Sequence, residues 1–325
     1  MLKEIIEEVS KRTDKAEGTH AVFSDRHHKP IEFSEDNYRE IGSSIGKTLL
    51  FIDGGNAELL NAPGLSLQLV RNAAVIVKNN KLQKSIKREF YVLLTTEGRK
   101  EIKARLYSNG TKTDVVSASG NELAKFCESI RKSSEIKLAT ETANEGITVL
   151  DGTLEAANEM EKKHFDELYS EASKKGGVIA AIAKTTGLIT DAGDSFPAML
   201  NERGSGKAWY YHPVAEINSE NHRAEMLFAK LHEKSSHVFR TEIYNKHKEK
   251  MQETMAELKE NARELTFPGY PYGLILADRL ARISEKEAKH VKAKIFAAAG
   301  NKWKNLKKSL AAVNAHEILD RMQVS

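Results

Sequence analysis

Apolar residues open the chain at helical spacing. Leu2, Ile5, Ile6 and Val9 fall on one face, which predicts an amphipathic helix over residues 1–15. Residues 16–47 are polar and mixed and show no period. A strong strand follows from Thr48 to Ile52, ending in Asp53-Gly54-Gly55. Leu65–Val77, Phe90–Thr96 and Glu101–Tyr107 read as further strands. Helical spacing returns from Asn121 to Asn144, carried by Leu123, Phe126, Cys127, Ile130 and Leu138. A short apolar strand, Ile147–Leu150, then runs into Asp151-Gly152-Thr153. Leu154–Lys175 is predicted as a helix closed by Gly176-Gly177, and Val178–Lys184 as a buried strand. Hairpin strands followed by helix–strand–helix–strand predict a mixed sheet covered by helices, an α/β architecture.

The second half begins with a polar, loop-like stretch from Thr190 to Gly206. Ala208–Val214, Ala224–Leu231 and His237–Tyr244 are predicted strands. From Asn245 the pattern is helical to about Thr266. A second helix opens at Tyr270-Pro271, with proline in its first turn, and runs to about Ala299. A last helix is predicted over Lys302–Met322. There is no internal repeat and no low-complexity linker, so the two halves are expected to form one continuous body.

Composition narrows the picture. The chain has 325 residues, 40% hydrophobic and 30% charged, with 6 Pro and 20 Gly. That excludes bulk disorder and collagen-like repeats. By length it spans about two average domains. Mean hydropathy is −0.50, and no apolar run approaches the roughly 20 residues of a membrane span. The opening MLKEIIEEVSKRTDK lacks the pattern of a signal peptide. The one cysteine, Cys127, excludes an internal disulfide and Cys-x-x-Cys zinc sites, which points to a reducing, cytoplasmic location. Its place on an apolar helix face reads as core rather than nucleophile.

Fifty basic residues face 46 acidic ones, a net charge of +4. Any nucleic-acid contact must therefore rest on local clusters. Two stand out. Lys78, Lys81, Lys84, Lys87 and Arg88 lie on a hairpin-like stretch without an acid. From Lys289 to Ser309 there are seven lysines, His290 and Trp303, again without an acid. Either stretch can follow a phosphate backbone, and either can be an ordinary solvated surface. Asp25, His27 and His28 also cluster, on a segment with no predicted scaffold, and no metal site is read there.

The chain lacks a Gly-x-x-x-x-Gly-Lys-Ser/Thr loop, a Gly-x-Ser-x-Gly elbow and a His-Glu-x-x-His helix. What it has is two apolar strands that each lead to an acid followed by glycine, FIDGG at Phe51–Gly55 and VLDGT at Val149–Thr153. Asp-Gly can simply turn the chain after a strand. Two such strands side by side would instead place Asp53 and Asp151 together at one sheet edge. Paired carboxylates there suit Mg²⁺ or Mn²⁺. The preceding helix offers Glu135 and Glu141 as a third acid, although Glu135 also stands four residues after Arg131, where a helical ion pair is expected.

In order, FIDGG, the helix with Arg131 and Glu135, VLDGT and VIAAIAKTT at 178–186 resemble the NurA nucleases. So do Phe196-Pro197-Ala198, Trp209, Phe228-Ala229-Lys230-Leu231, Val238-Phe239-Arg240 with Glu242, and GYPYGLILADRLARI at 269–283. The resemblance implies an RNase H-like mixed sheet flanked by helices, with extra strands and C-terminal helices. It implies an N-terminal segment over 1–47, a nuclease domain over 48–285, and a helical extension over 286–325 packed on the same body. It implies a Mn²⁺- or Mg²⁺-dependent deoxyribonuclease, 5′–3′ exonuclease and single-strand endonuclease, acting on DNA in double-strand-break end resection and homologous recombination. The expected partners are a HerA-type hexameric ATPase and a second copy of the chain, with no membrane. By position, Asp53, Glu135 and Asp151 become metal ligands and Tyr270 a functional tyrosine. Asp278 stands where some members carry histidine, either as a ligand or as a partner of Arg282. Lys184, at the end of its strand, becomes a phosphate contact, and the basic stretch read above adds Lys84, Lys87 and Arg88 as expected DNA contacts. Two alternatives remain open: an actin- or sugar-kinase-like ATP-binding protein, whose folds also set Asp-Gly turns after strands, and a catalytically inactive DNA-repair binding subunit.

Overall fold

The structure is a computed structural model that describes residues 1–13, 16–98, 101–108, 111–119, 122–264 and 267–300. The expected helix over Lys302–Met322, with Trp303 and the lysines around it, lies outside the described residues.

The chain opens with α1 (Leu2–Thr13), and three short strands follow: β1 (Ala21–Val22), β2 (His28–Pro30) and β3 (Tyr38–Glu40). Three long strands come next, β4 (Leu49–Ala62), β5 (Leu65–Lys78) and β6 (Lys81–Glu97), then β7 (Glu101–Ser108) and β8 (Thr111–Ser119). The turn between β5 and β6 is Asn79-Asn80, both at positive φ, as a tight hairpin turn requires. Helix α2 (Leu123–Thr142) leads to β9 (Ile147–Asp151), α3 (Glu159–Lys174), β10 (Val178–Ala183), β11 (Ile189–Thr190) and α4 (Phe196–Arg203). The remaining elements are β12 (Trp209–Tyr211), β13 (Ala215–Ile217), β14 (Ala224–Lys230), β15 (Phe239–Tyr244), α5 (Met251–Asn261), α6 (Tyr272–Ala281) and α7 (Glu285–Ala299).

Several boundaries correct the sequence reading. The strand through FIDGG does not end at its glycines. β4 keeps β5 as its hydrogen-bonded neighbour and runs on to Ala62. The helix expected from Leu154 starts at Glu159, because the Asn158 side chain caps the amides of Met160 and Glu161. The stretch from Thr190 to Gly206 contains α4, started by a Ser195 cap with Pro197 in the first turn. The helix expected from 270 to 299 is two helices. Ser284 caps the amide of Glu287 and begins α7 afresh. The helix expected from Asn245 begins with a 3₁₀ turn over Asn245–Lys250. β8 has no counterpart in the sequence reading.

The chain divides into two compact units, and β4, β5 and β6 contribute residues to both. The first comprises Met1–Asp53, Ala74–Ile86 and Glu135–Arg279. In it the strand order is β3-β12-β14-β15-β10-β9-β4. β9 is parallel to both β4 and β10, while β10 is antiparallel to β15, so the sheet is mixed. Leu50, Ile52, Leu150 and Ile179 of the central strands form one core with Ile136 and Ala139 of α2 and Phe165 and Leu168 of α3. A second, aromatic core gathers Phe196, Trp209, Tyr211 and Phe228. The second unit comprises Gly54–Ala73, Lys87–Ser134 and the chain from Leu280. Its strands follow the order β4-β5-β6-β7-β8. Within it Arg71 is buried and held by Glu89, Glu287 and the Arg282 carbonyl. Cys127 is buried there too, and burial pushes its thiol up to about 12, as expected of a core cysteine. Among the described residues no helix is long and apolar enough to cross a membrane.

Candidate metal centre

Register in the first unit explains why two sequence-distant aspartates meet. Parallel pairing sets Leu49–Ile52 of β4 opposite Ile147–Leu150 of β9. The next residue on each strand is an aspartate, Asp53 and Asp151. On the other side, Asp151 is level with Ile182 of β10, and Lys184 follows just past the end of that strand. Gly152, at a φ of 111°, turns the chain after Asp151, and its amide donates to the Ile182 carbonyl at 2.9 Å.

The third aspartate comes from α6. A Cβ on Gly273 would lie 2.0 Å from the Phe51 ring, so only glycine lets this helix come so close to β4. The Gly273 amide is held by Asn261 Oδ1 at 2.9 Å. Asp278 follows further along α6. Asp53, Asp151 and Asp278 each bring one carboxylate oxygen to within 4.8 Å of the others. Asp53 is buried, and Asp151 and Asp278 are half-buried. Like charges at that spacing repel by about 3 kcal/mol per pair at an effective dielectric of about 20.

Lys184 meets all three. Its Nζ is 2.5 Å from Asp151 Oδ2, 2.7 Å from Asp278 Oδ1 and 3.6 Å from Asp53 Oδ2. Burial opposes its charge, but hydrogen bonds to Asp151 and Asp278 and the field of Asp53 raise its pKa nonetheless. Three converging carboxylate oxygens are donors of the kind that fit a hard divalent cation such as Mg²⁺ or Mn²⁺.

Tyr270 precedes α6 and is 4% exposed, with its hydroxyl buried and without a hydrogen-bond partner. Burial raises its pKa, and the charges of Asp151, Asp53 and Asp278 raise it further. The hydroxyl therefore stays protonated in the field of the three acids. A buried orphan hydroxyl costs roughly 1–3 kcal/mol.

Of the other residues singled out in the sequence, Glu135 is buried on α2, whereas Glu141 on the same helix is exposed. Glu135 is not one of the three acids that close to 4.8 Å. In the second unit Arg131 donates to the carbonyl of Gly54 at 2.9 Å, holding the backbone just after Asp53. Lys84, Lys87 and Arg88 are exposed on β6. Lys87 lies 3.3 Å from Glu89.

A family model described as the NurA domain matches residues 47–283. Among solved structures, the NurA nuclease from Sulfolobus solfataricus is 12% identical, with 92% of this chain and 94% of that chain covered and a TM-score of 0.53. The catalytic domain of human endonuclease V is 10% identical over 90% of this chain and 97% of that chain, with a TM-score of 0.41. Endonuclease V from Ciona intestinalis, in complex with inosine-containing DNA, is 13% identical over 89% of this chain and 99% of that chain, with a TM-score of 0.40. No curated protein matches the chain.

Proposed function

The chain belongs to the NurA domain family, and from that premise we propose that it is a divalent-metal-dependent deoxyribonuclease on an RNase H-like fold. The observation that carries this reading is the convergence of three carboxylate oxygens within 4.8 Å, drawn from two parallel strands and a helix. Asp53, Asp151 and Asp278 hold the metal, and Glu135 on α2 is a further ligand from the family pattern. A divalent ion bound by such acids supplies an activated water and stabilises the charge that develops on the leaving oxygen. The sheet holds Asp53 and Asp151 in place before substrate arrives, so little reorganisation is needed at the site. Tyr270 presents a protonated hydroxyl to the site. Lys184 contacts a DNA phosphate, and Lys84, Lys87 and Arg88, exposed on β6, are further phosphate contacts.

The finer reading follows the family: Mn²⁺ as activating ion, 5′–3′ exonuclease and single-strand endonuclease activity, DNA end resection with a HerA-type hexameric ATPase, and a homodimer in the cytoplasm. The test is cleavage of 5′- and 3′-labelled single- and double-stranded DNA with and without Mn²⁺. The wild type should cut only with the ion. Asp53→Ala and Asp151→Ala should keep a cooperative thermal transition and cut nothing; wild-type rates in either variant would sink the assignment. ATP binding without DNA cleavage would instead support the kinase-like alternative. Co-expression with the translocase should give one assembly on size exclusion, and two separate peaks at micromolar concentration would count against that partnership.

A further inference from the structure

Aromatic rings continue outward from the three aspartates along one face of the first unit's sheet. Asp151 on β9 is level with Ile182 on β10, and Ile182 is level with Thr241 on β15. Residues level across a sheet share a face, and side chains along a strand alternate, so Phe239, two residues before Thr241, lies on the face of Asp151. The register that pairs Ala183 with Arg240 brings Lys184 and Phe239 next, on neighbouring strands. From Phe239 the rings run in contact. Its centroid is 5.1 Å from that of Tyr270 and 5.9 Å from that of His237. The Phe267 ring stacks on His237 at 5.3 Å and meets Tyr270 edge-on at 6.0 Å.

The four rings differ in exposure. Phe239 and Tyr270 are buried, and the charges of Asp151, Asp53 and Asp278 reach the Tyr270 hydroxyl. Phe267 is 39% exposed, and His237 beside it is exposed as well. A single exposed phenylalanine is ordinary. A stacked pair left open at the outer end of a row, with converging acids at its inner end, is a surface suited to a flat, partly apolar ring. Nucleobases are such rings, and every base offers a π face. The inner end offers Lys184 and the acids, so one row of side chains presents surfaces for both ends of a nucleotide.

We infer that Phe267 and His237 form a stacking platform for one nucleobase of a single DNA strand whose phosphate lies at the three aspartates. The place of that phosphate rests on the nuclease reading above; the stacking does not. Tyr270 joins the two ends, because its ring backs Phe267 while its hydroxyl lies in the field of the acids. Stacking on aromatic side chains accepts any base, so the platform holds a strand without reading its sequence. A base inside a duplex is covered by its neighbours, so the platform favours single strands and unpaired ends.

The test is binding in chelator, followed by fluorescence anisotropy, of labelled single strands that each lack the base at a different position. For the wild type, removing the base at one position should weaken binding about tenfold, within the span known for base–aromatic stacking, and by more than at its neighbours. Phe267→Ala should bind the intact strand about tenfold more weakly and lose nothing further at that position. Phe267→Trp should restore the position effect, and its emission should be quenched by the intact strand and not by the strand lacking that base. His237→Ala gives the same cycle should Phe267→Ala lose its cooperative thermal transition. Equal binding by Phe267→Ala and wild type, a position effect that persists in the alanine variants, or no binding of any strand would overturn the proposal. A protein that shows the cycle yet binds no Mn²⁺ by calorimetry would keep the platform and reject the metal reading. One that cuts DNA with Mn²⁺ but lacks the cycle would do the opposite.

Discussion

Two groups of charged side chains lie in the same compact unit and differ in arrangement. Asp53, Asp151 and Asp278 bring three carboxylate oxygens within 4.8 Å of one another around one lysine, Lys184. Glu242 is fully buried and turns its two oxygens to different donors, one to Arg240 and the other to the Leu154 amide. The first group offers converging oxygen donors to a cation. The second finds its partners within the protein and serves to hold parts of the fold together. Buried charge alone does not mark a site, since paired charges persist in a core; like charges that converge do.

Asp151→Ala should break this comparison most sharply: DNA cleavage disappears while the thermal transition remains. Glu242→Ala should do the reverse, costing about 3–5 kcal/mol in chemical denaturation because the Arg240 charge loses its buried partner. Acid should reproduce part of that loss. Glu242 is depressed from its ordinary 4.5 to about 2. It therefore stabilises the fold above pH 4.5, and that contribution, roughly 3 kcal/mol, fades as pH falls toward 2. Denaturation midpoints across that window should fall for the wild type and stay flatter in Glu242→Gln. Asp278→Asn should act in the opposite sense. It relieves repulsion, so in chelator it should raise stability by about 1 kcal/mol while weakening Mn²⁺ binding by calorimetry. Tyr270→Phe is the smallest change. Removing a buried hydroxyl that has no partner should leave stability unchanged or raise it by up to about 1 kcal/mol, and slow cleavage measured on the same preparation.

The difference between the two groups also governs how much could be read from the chain. Asp53 and Asp151 were legible because each follows an apolar strand and precedes glycine, a local pattern, and because parallel neighbours in register bring such positions together. The helix, strand, helix and strand from Asn121 to Lys184 were legible for the same reason, since burial imposes their periods. Asp278 was only half legible: its helix was expected, but not that Gly273 would seat it against Phe51. The contact between His28 and His222 was not legible at all. Asp25 and His28 read as a cluster without a scaffold, because His222, just before β14, lies 194 residues later in the chain, and no local period encodes that meeting. β4 ran past its glycines because pairing with β5 overrode a local turn signal. α4 and the break before α7 turned on single caps, Ser195 and Ser284, that a reading by hydrophobic period passes over.

The close seat of α6 on β4 has one more consequence. The distance between helix and strand at Gly273 sets how far Asp278 stands from Asp53 and Asp151, so a missing methyl group works as the gauge of the opening they enclose. If the three acids hold an ion, a span set by a helix seated on the Phe51 ring should suit ions that accept short, regular oxygen contacts better than Ca²⁺, which prefers more ligands at longer range.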